Sequence, residues 1–563
     1  MIDRSKPWYW LNDNTRQFMS RGYTLEGQTV EDRVRQIADH AEKLLQEPGF
    51  ADKLYDYVSR GWVSFSTPVW ANFGLGRGLP ISCFGSYLGD DMAEIAFTHA
   101  ENTMMSKYGG GTSGFFGALR PRGAEIKNNG TSNGPVHFMQ MFETLIHVVS
   151  QGKVRRGSFS PYLPVEHPDI MDFLEIGTEG NPIQNMTHAV TVGDEWLQSM
   201  IDGDEEKRAI WAKIIQRRGE MGYPYILYTG NANKNTVDVY KDKGLKIVAS
   251  NLCSEIMLPS NENWSFVCCL SSVNLLHYDA WKDSDLIEVM VKLLDAVISD
   301  FCERLESLRD SEDKSKKLAF TFMERAYNFA KENRALGLGV IGWHSLLQSK
   351  RIAFESMEAG KLNVEIWKKM KEQGEATSKT LAEKFGEPEI LKGYGRRNTT
   401  LFAVAPTTSS AFILGQVSQS IEPLWSNCYV KDLAKLKVTV KNPFLEELLE
   451  EKGKNTREVW NSIRDHDGSV QHLDFLSDQE KEIFRTFAEL DQAIVIEQAA
   501  VRQLYIDQGQ SLNIMVPPKV SPKEINELYL LAWRKGIKAL YYQHSMNAAQ
   551  ALTRQKICAA CEA

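Results

Sequence analysis

No apolar run in the 563 residues approaches the roughly eighteen that a membrane-spanning helix needs, so no span is expected. The opening MIDRSKPWYWLND lacks the apolar stretch of a signal peptide, which points to the cytoplasm. Positive charge is in deficit: 65 Lys and Arg stand against 73 Asp and Glu, a net −8. That balance argues against a general nucleic-acid binder. Cysteine is sparse, with eight in the chain: Cys83, Cys253, Cys268, Cys269, Cys302, Cys428, Cys558 and Cys561. So few exclude a disulfide scaffold, and in a reducing compartment any disulfide would be transient and catalytic. No repeat of solenoid period and no low-complexity segment interrupts the chain. The glycine-rich stretch after Tyr108 fits neither the dinucleotide fingerprint, which needs GxGxxG after a strand, nor the P-loop GxxxxGK[ST].

What is present is the composition of a globular protein, 43% hydrophobic and 25% charged. The length alone suggests three or four domains. Yet short apolar runs alternate with helical patterns, and no Pro- or Ser-rich linker divides them, which favours one large α/β domain. Residues 1–65 read as a helical N-terminal region. Thr29 is placed to cap a helix whose apolar positions, Val34 to Leu45, follow a 3.6 period. Candidate strands are Ala189–Val192, Tyr225–Tyr228, Leu336–Ile341, Thr400–Pro406, Ser511–Val516 and Gly536–Tyr542. Candidate helices are Ala93–Lys107, Val136–Val149, Ile170–Ile176, Glu195–Ile201, Leu286–Leu308 and Lys523–Lys535. Pro68 should hold Thr67 extended. The stretches after Tyr108 and after Ser150 read as glycine-rich loops carrying Arg120, Arg122, Arg155 and Arg156. Flexible loops of that kind suit a nucleotide phosphate, although a plain surface loop has the same composition.

The chemistry concentrates at Asn251-Leu-Cys253-Ser-Glu255. A thiol stands between an amide and a carboxylate, each one residue away, so in an extended segment or tight tip the three would face one substrate. The run Thr407-Thr408-Ser409-Ser410 follows an apolar strand and opens a helical pattern, an arrangement for an anion or simply for N-capping. Cys558-Ala-Ala-Cys561 lies in a terminal stretch with no packing pattern. As a zinc site it supplies two of four ligands. As a dithiol on a mobile tail it can reduce an interior disulfide by exchange, for which Cys83 and Cys268 are candidates.

These residues carry a resemblance. Asn251-Leu-Cys253-Ser-Glu255, Cys268-x-Leu270-Ser271-x-x-Asn274-Leu275, Pro406-x-Thr408-Ser409-Ser410, Tyr541-Tyr542 and Cys558-x-x-Cys561 resemble the large (α) subunit of class I ribonucleotide reductase. The similarity extends from about Ser64 to the end. It implies a ten-stranded α/β barrel of two five-stranded halves over residues 66–545, a central finger loop bearing Cys253, and a flexible tail over 546–563. It implies that Cys253 forms a thiyl radical that takes the ribose 3′ hydrogen, that Glu255 is the base at the 3′ hydroxyl, and that Asn251 orients the same edge. Cys83 and Cys268 would supply two electrons and become a disulfide, with Cys558 and Cys561 restoring them. Tyr541-Tyr542 would relay the radical. Because no metal-ligand set is visible, the radical would come from the metallocofactor of a small β subunit.

The resemblance also places Thr67, Ser82, Thr408, Ser409 and Ser410 at the ribonucleoside diphosphate. Asp90, Arg120, Lys127 and Arg155 fall at the site for nucleoside triphosphate effectors (ATP, dATP, dTTP, dGTP), with Lys127 where the family often has Arg. An α2 homodimer and a thioredoxin- or glutaredoxin-like reductant are implied, with no nucleic acid and no membrane. The barrel pattern begins within the first seventy residues, leaving no room for the family's ATP-cone, so overall activity control by ATP and dATP is not expected in this chain. Alternatives are a cobalamin-dependent class II reductase, for which the tyrosine pair would be superfluous, and a non-catalytic nucleotide-binding homologue.

Overall fold

The computed structural model describes residues 3–152, 155–415, 417–433, 436–517 and 520–545. The tail read as residues 546–563, including Cys558 and Cys561, lies outside the described residues.

Thirteen strands are described. They are β1 Val63–Phe65, β2 Cys83–Tyr87, β3 Gly111–Phe115, β4 Phe159–Pro164, β5 Ala189–Val192, β6 Tyr225–Tyr228, β7 Phe266–Asn274 and β8 Leu336–Ile341. After them come β9 Cys428–Leu433, β10 Leu436–Lys441, β11 Ile514–Val516, β12 Ala539–Leu540 and β13 Gln543–Ser545. Strands β2 through β6 pair in sequence order, all parallel, and form one five-stranded half. The second half is also parallel. It runs from β7 to β8, then by the bridges Leu338 to Phe402 and Val404 to Gln510 to the segment ending in β11, and lastly to β13. Two antiparallel seams join the halves. At one, Cys83 of β2 faces Cys268 of β7; at the other, Ala539 of β12 faces Leu227 of β6. Counting the bridged segment 402–404, the strand leading into β11, and 539–545 as single staves, the halves close a ten-stranded barrel. β1 lies end to end with β2 along the same edge of β7.

Parallel strands covered on both sides read as apolar runs without alternation, as in LGLGVI of β8, which is buried throughout. The glycines there serve close approach. A Cβ on Gly339 would sit 2.6 Å from the carbonyl oxygen of Ala403, on the neighbouring stave. Long amphipathic helices, Leu286–Arg309, Lys314–Asn333 and Met357–Phe385, cover the outside. No described helix is long and apolar enough to cross a membrane.

Several local expectations are revised. The stretch after Tyr108 is not all loop, because Gly111–Phe115 is the strand β3. Glycines in and just before it make room for rings: a Cβ on Gly110 would fall 2.3 Å from Phe84, and one on Gly114 2.8 Å from Phe159. Thr67 is not extended but opens the helix Thr67–Asn72, with Ser66 as the extended cap (φ −65°, ψ 156°). Pro68 then occupies the first turn, where its missing N–H costs nothing. The strand expected over Gly536–Tyr542 breaks before Tyr541. There the Tyr542 amide donates to the Asn513 Oδ1 instead of to a ladder carbonyl.

Candidate active site

A loop between β6 and β7 carries Asn251–Glu255 into the barrel. Its turn needs Ser254 at φ +64°, a conformation rare outside glycine. Hydrogen bonds from three staves hold it there. Ser113 Oγ of β3 donates to the Ser250 carbonyl (2.8 Å), Tyr162 Oη of β4 to the Asn251 carbonyl (2.6 Å), and Ser511 Oγ to the Cys253 carbonyl (2.6 Å). Asn251 Oδ1 accepts from the amides of Glu255 (3.1 Å) and Ile256 (3.2 Å), closing the tip on itself. Fixed at this many points, the loop presents Cys253 and Glu255 without having to reorder.

Cys253 and Glu255 line a cavity of about 120 Å³ with Ser82, Cys83, Arg155, Thr67 and the run Thr408-Ser409-Ser410. Asn251 is buried behind this wall and donates from Nδ2 to Cys83 Sγ at 3.1 Å. The three residues of the motif thus do not all face the cavity. Cys268, the cross-strand neighbour of Cys83, is fully buried and accepts from Gln508 Nε2 at 3.5 Å. No disulfide joins the described cysteines. Cys269 points the other way along the strand, its thiol donating to the Leu294 carbonyl at 3.4 Å, and behaves as core. The hydroxyls of Ser64, Ser66, Ser82 and Ser271 line the same cavity, buried and without protein hydrogen-bond partners. A buried hydroxyl left unmatched costs stability, so four around one void mark a place where a polar ligand completes the bonding.

Burial sets the protonation of the site. It pushes the Glu255 carboxyl up to about 7, against the opposing bonds from Asn251 and Ser511. Burial, then the nearby Glu255 carboxylate, raise the Cys83 thiol well above its ordinary value. Burial and neighbouring Cys269 do the same for Cys268. Both are therefore held as S–H, carrying hydrogen and electrons together, while Glu255 is poised to take a proton near neutrality.

Tyr541 and Tyr542 are almost fully buried, their ring centroids 4.4 Å apart. Tyr225 of β6 lies 4.7 Å from the first and 5.0 Å from the second, and Cys253 packs against this aromatic cluster.

A family model described as "Ribonucleotide reductase, barrel domain" matches residues 81–207, 198–390 and 388–543. The chain belongs to the ribonucleotide reductase family. The "Putative ribonucleoside-diphosphate reductase large subunit" of Frog virus 3 (isolate Goorha) is 36% identical over 515 residues, 88% of each chain. The "Ribonucleoside-diphosphate reductase large subunit" of Invertebrate iridescent virus 3 is 32% identical, again over 88% of each. Among solved structures, the "Actinobacillus ureae class Id ribonucleotide reductase alpha subunit" superposes with a TM-score of 0.90 at 53% identity. That match covers 97% of this chain and 99% of the other. The barrel expected from the resemblance is the barrel of this ribonucleotide reductase.

The remaining expected site residues fall in two places. Asp90 and Arg120 meet, with Arg120 Nε 2.8 Å and its backbone amide 3.0 Å from the Asp90 carboxylate. Lys127 is exposed in the same loop, seven positions on from Arg120. Arg155 departs from this group: it lines the thiol cavity and donates to the Gly109 carbonyl at 3.2 Å. Motif reading missed the residues that fix the site from behind, namely Tyr162, Gln508 and Ser511. Tyr162 stands in an apolar strand and Gln508 and Ser511 in the polar run 507–511, and no spacing singles any of them out.

Proposed function

We propose that this chain is the catalytic α subunit of a class I ribonucleoside-diphosphate reductase, converting ribonucleotides to 2′-deoxyribonucleotides for DNA synthesis in the cytoplasm. The observation that carries this reading is a thiol and a buried carboxyl on the wall of one cavity inside the barrel, with a second pair of thiols in cross-strand register beside them. In the proposed reaction the Cys253 sulfur radical takes the 3′ hydrogen atom of the ribose, and Glu255 accepts the 3′ hydroxyl proton. That weakens the 2′ carbon–oxygen bond, and the 2′ hydroxyl leaves as water. Cys83 and Cys268 provide two electrons and two protons, one proton leaving with the 2′ hydroxyl as water and one going to the 2′ carbon, and end as a disulfide. Glu255 returns its proton to the 3′ oxygen, and Cys253 returns its hydrogen atom to the 3′ carbon and recovers the radical. Burial supports this use of the thiols, since a closed barrel keeps the intermediates from water.

Thr67, Ser82 and the Thr408-Ser409-Ser410 run would hold the diphosphate and ribose, and the Arg155 guanidinium adds a cation to that wall. Asp90, Arg120 and Lys127 would form the effector site for ATP, dATP, dTTP and dGTP at an α2 interface. Tyr541 and Tyr542, next to Cys253, would pass the radical inward from a β subunit that carries the metallocofactor. Cys558 and Cys561 would reduce the Cys83–Cys268 disulfide and be renewed by a thioredoxin- or glutaredoxin-like protein.

The test is CDP reduction by the purified chain with dithiothreitol and ATP, with and without a cognate β subunit. Product only with β, and none from Cys253→Ser, is the expected outcome. Turnover with adenosylcobalamin in place of β, or undiminished turnover by Cys253→Ser, would overturn it.

A further inference from the structure

A second cleft, larger than the thiol cavity at about 590 Å³, opens on the outside of the barrel. The helix Met357–Phe385 forms one side with Lys371, Glu375 and Lys379, spaced four residues apart so that they share a face. Opposite stand Lys241, Arg396 and Lys535. The five cations meet three carboxylates, Asp238, Glu375 and Asp507. In a chain of net charge −8, that local excess is a departure.

The pairing inside the cleft leaves cations to spare. Asp238 is taken by Arg396, and Asp507 is half-buried and accepts backbone amides of Leu401 (2.7 Å) and Phe402 (2.8 Å). Glu375 lies 3.9 Å from Lys371, at the outer limit of an ion pair. Lys241 and Lys379 make no ion pair among the described residues. One further group is unmatched: the Thr236 hydroxyl lines the cleft, is only 8% exposed and has no hydrogen-bond partner. This is the same signature that four serines give the thiol cavity. The floor is apolar and aromatic, with Leu401, Phe402, Ile506 and the rings of Tyr394 and Tyr505. The volume is that of a small-molecule site.

We propose that this cleft binds a nucleoside phosphate, with the base against the Tyr394 and Tyr505 side and the phosphates on Lys371, Lys379 and Lys241. The cations supply charge for the anionic end, and the apolar and aromatic side chains suit an aromatic ring better than a bare polyanion. The site is separate from the cavity that holds Cys253 and from the Asp90–Arg120 loop, so it stands or falls independently of the roles given to them.

The experiment is photolabelling of the full chain with 8-azido-ATP, followed by peptide mapping, for the wild type and the double variant Lys371→Glu, Lys379→Glu. Both lysines sit on the helix surface, and a thermal melt checks that the variant folds. The expected result is label on peptides containing Tyr394 or Tyr505, displaced by ATP and reduced at least tenfold in the variant, while label elsewhere persists. Absence of label on those peptides at saturating probe, or label unchanged in the variant, would overturn the proposal. Inorganic tripolyphosphate is the third arm. Displacement by it as effective as by ATP would overturn the nucleoside half and leave a polyanion site.

Discussion

Glu255 is the residue whose environment says most about the chemistry. Its folded carboxyl titrates near 7 while an unfolded one titrates near 4.5, because burial outweighs the bonds that favour the charge. The folded protein therefore holds this proton more tightly. The contribution to stability is greatest below the unfolded value and declines as pH rises between the two, by on the order of 3 kcal/mol in all. Glu255→Gln should accordingly gain stability relative to the native chain between pH 5 and pH 8, read as a difference in urea midpoints at the two pH values. The same change should lower turnover by about 10²- to 10⁴-fold, the usual contribution of a positioned base. Turnover of the native chain should rise with pH through neutrality as Glu255 ionises. A stability difference between Glu255→Gln and the native chain that stays the same from pH 5 to pH 8 would remove the carboxyl from the buried, titrating role.

At the scale of elements, the sequence displayed the staves well where they are uniform. Ala189–Val192, Tyr225–Tyr228 and Leu336–Ile341 have the bounds that their apolar runs indicated. It hid β3, because the glycines in and just before it look like a flexible loop until the rings of Phe84 and Phe159 are seen occupying the missing side chains' space. The site was legible as motifs, because Asn251, Cys253 and Glu255 stand at fixed spacing. The supports were not: Gln508 lies some 240 positions from the Cys268 it touches, and only the closed barrel brings them together. A glycine again illustrates the constraint. A Cβ on Gly337 would sit 2.5 Å from a Leu270 methyl and 3.0 Å from Cys268 Sγ. Gly337→Ala should cost about 1–3 kcal/mol through overpacking and displace that thiol. Slower multiple-turnover reduction, with a lowered thermal midpoint, is the expected result; unchanged values for both would show that the neighbours yield freely.

For the whole molecule, the closed barrel explains why so many polar groups survive inside it. Many of its hydroxyls, amides and thiols are matched to one another, and four serine hydroxyls are left facing the cavity. The two halves meet at only two seams, and Cys83 opposite Cys268 sits on one of them. Cross-strand Cα atoms of an antiparallel pair lie about 4.5–5.5 Å apart, within the span a disulfide bridges without moving the backbone. The electron store in the proposed reaction is therefore also a mechanical clasp. Each turnover would weld one half of the molecule to the other, and each reduction would release it. Oxidised protein should show slower amide hydrogen exchange along β2 and β7 than reduced protein, and equal rates would mean the weld carries no strain-bearing load. An enzyme that used the pair in this way would alternate between a stiff spent form and a looser charged one, with rigidity itself recording whether the next substrate can be used.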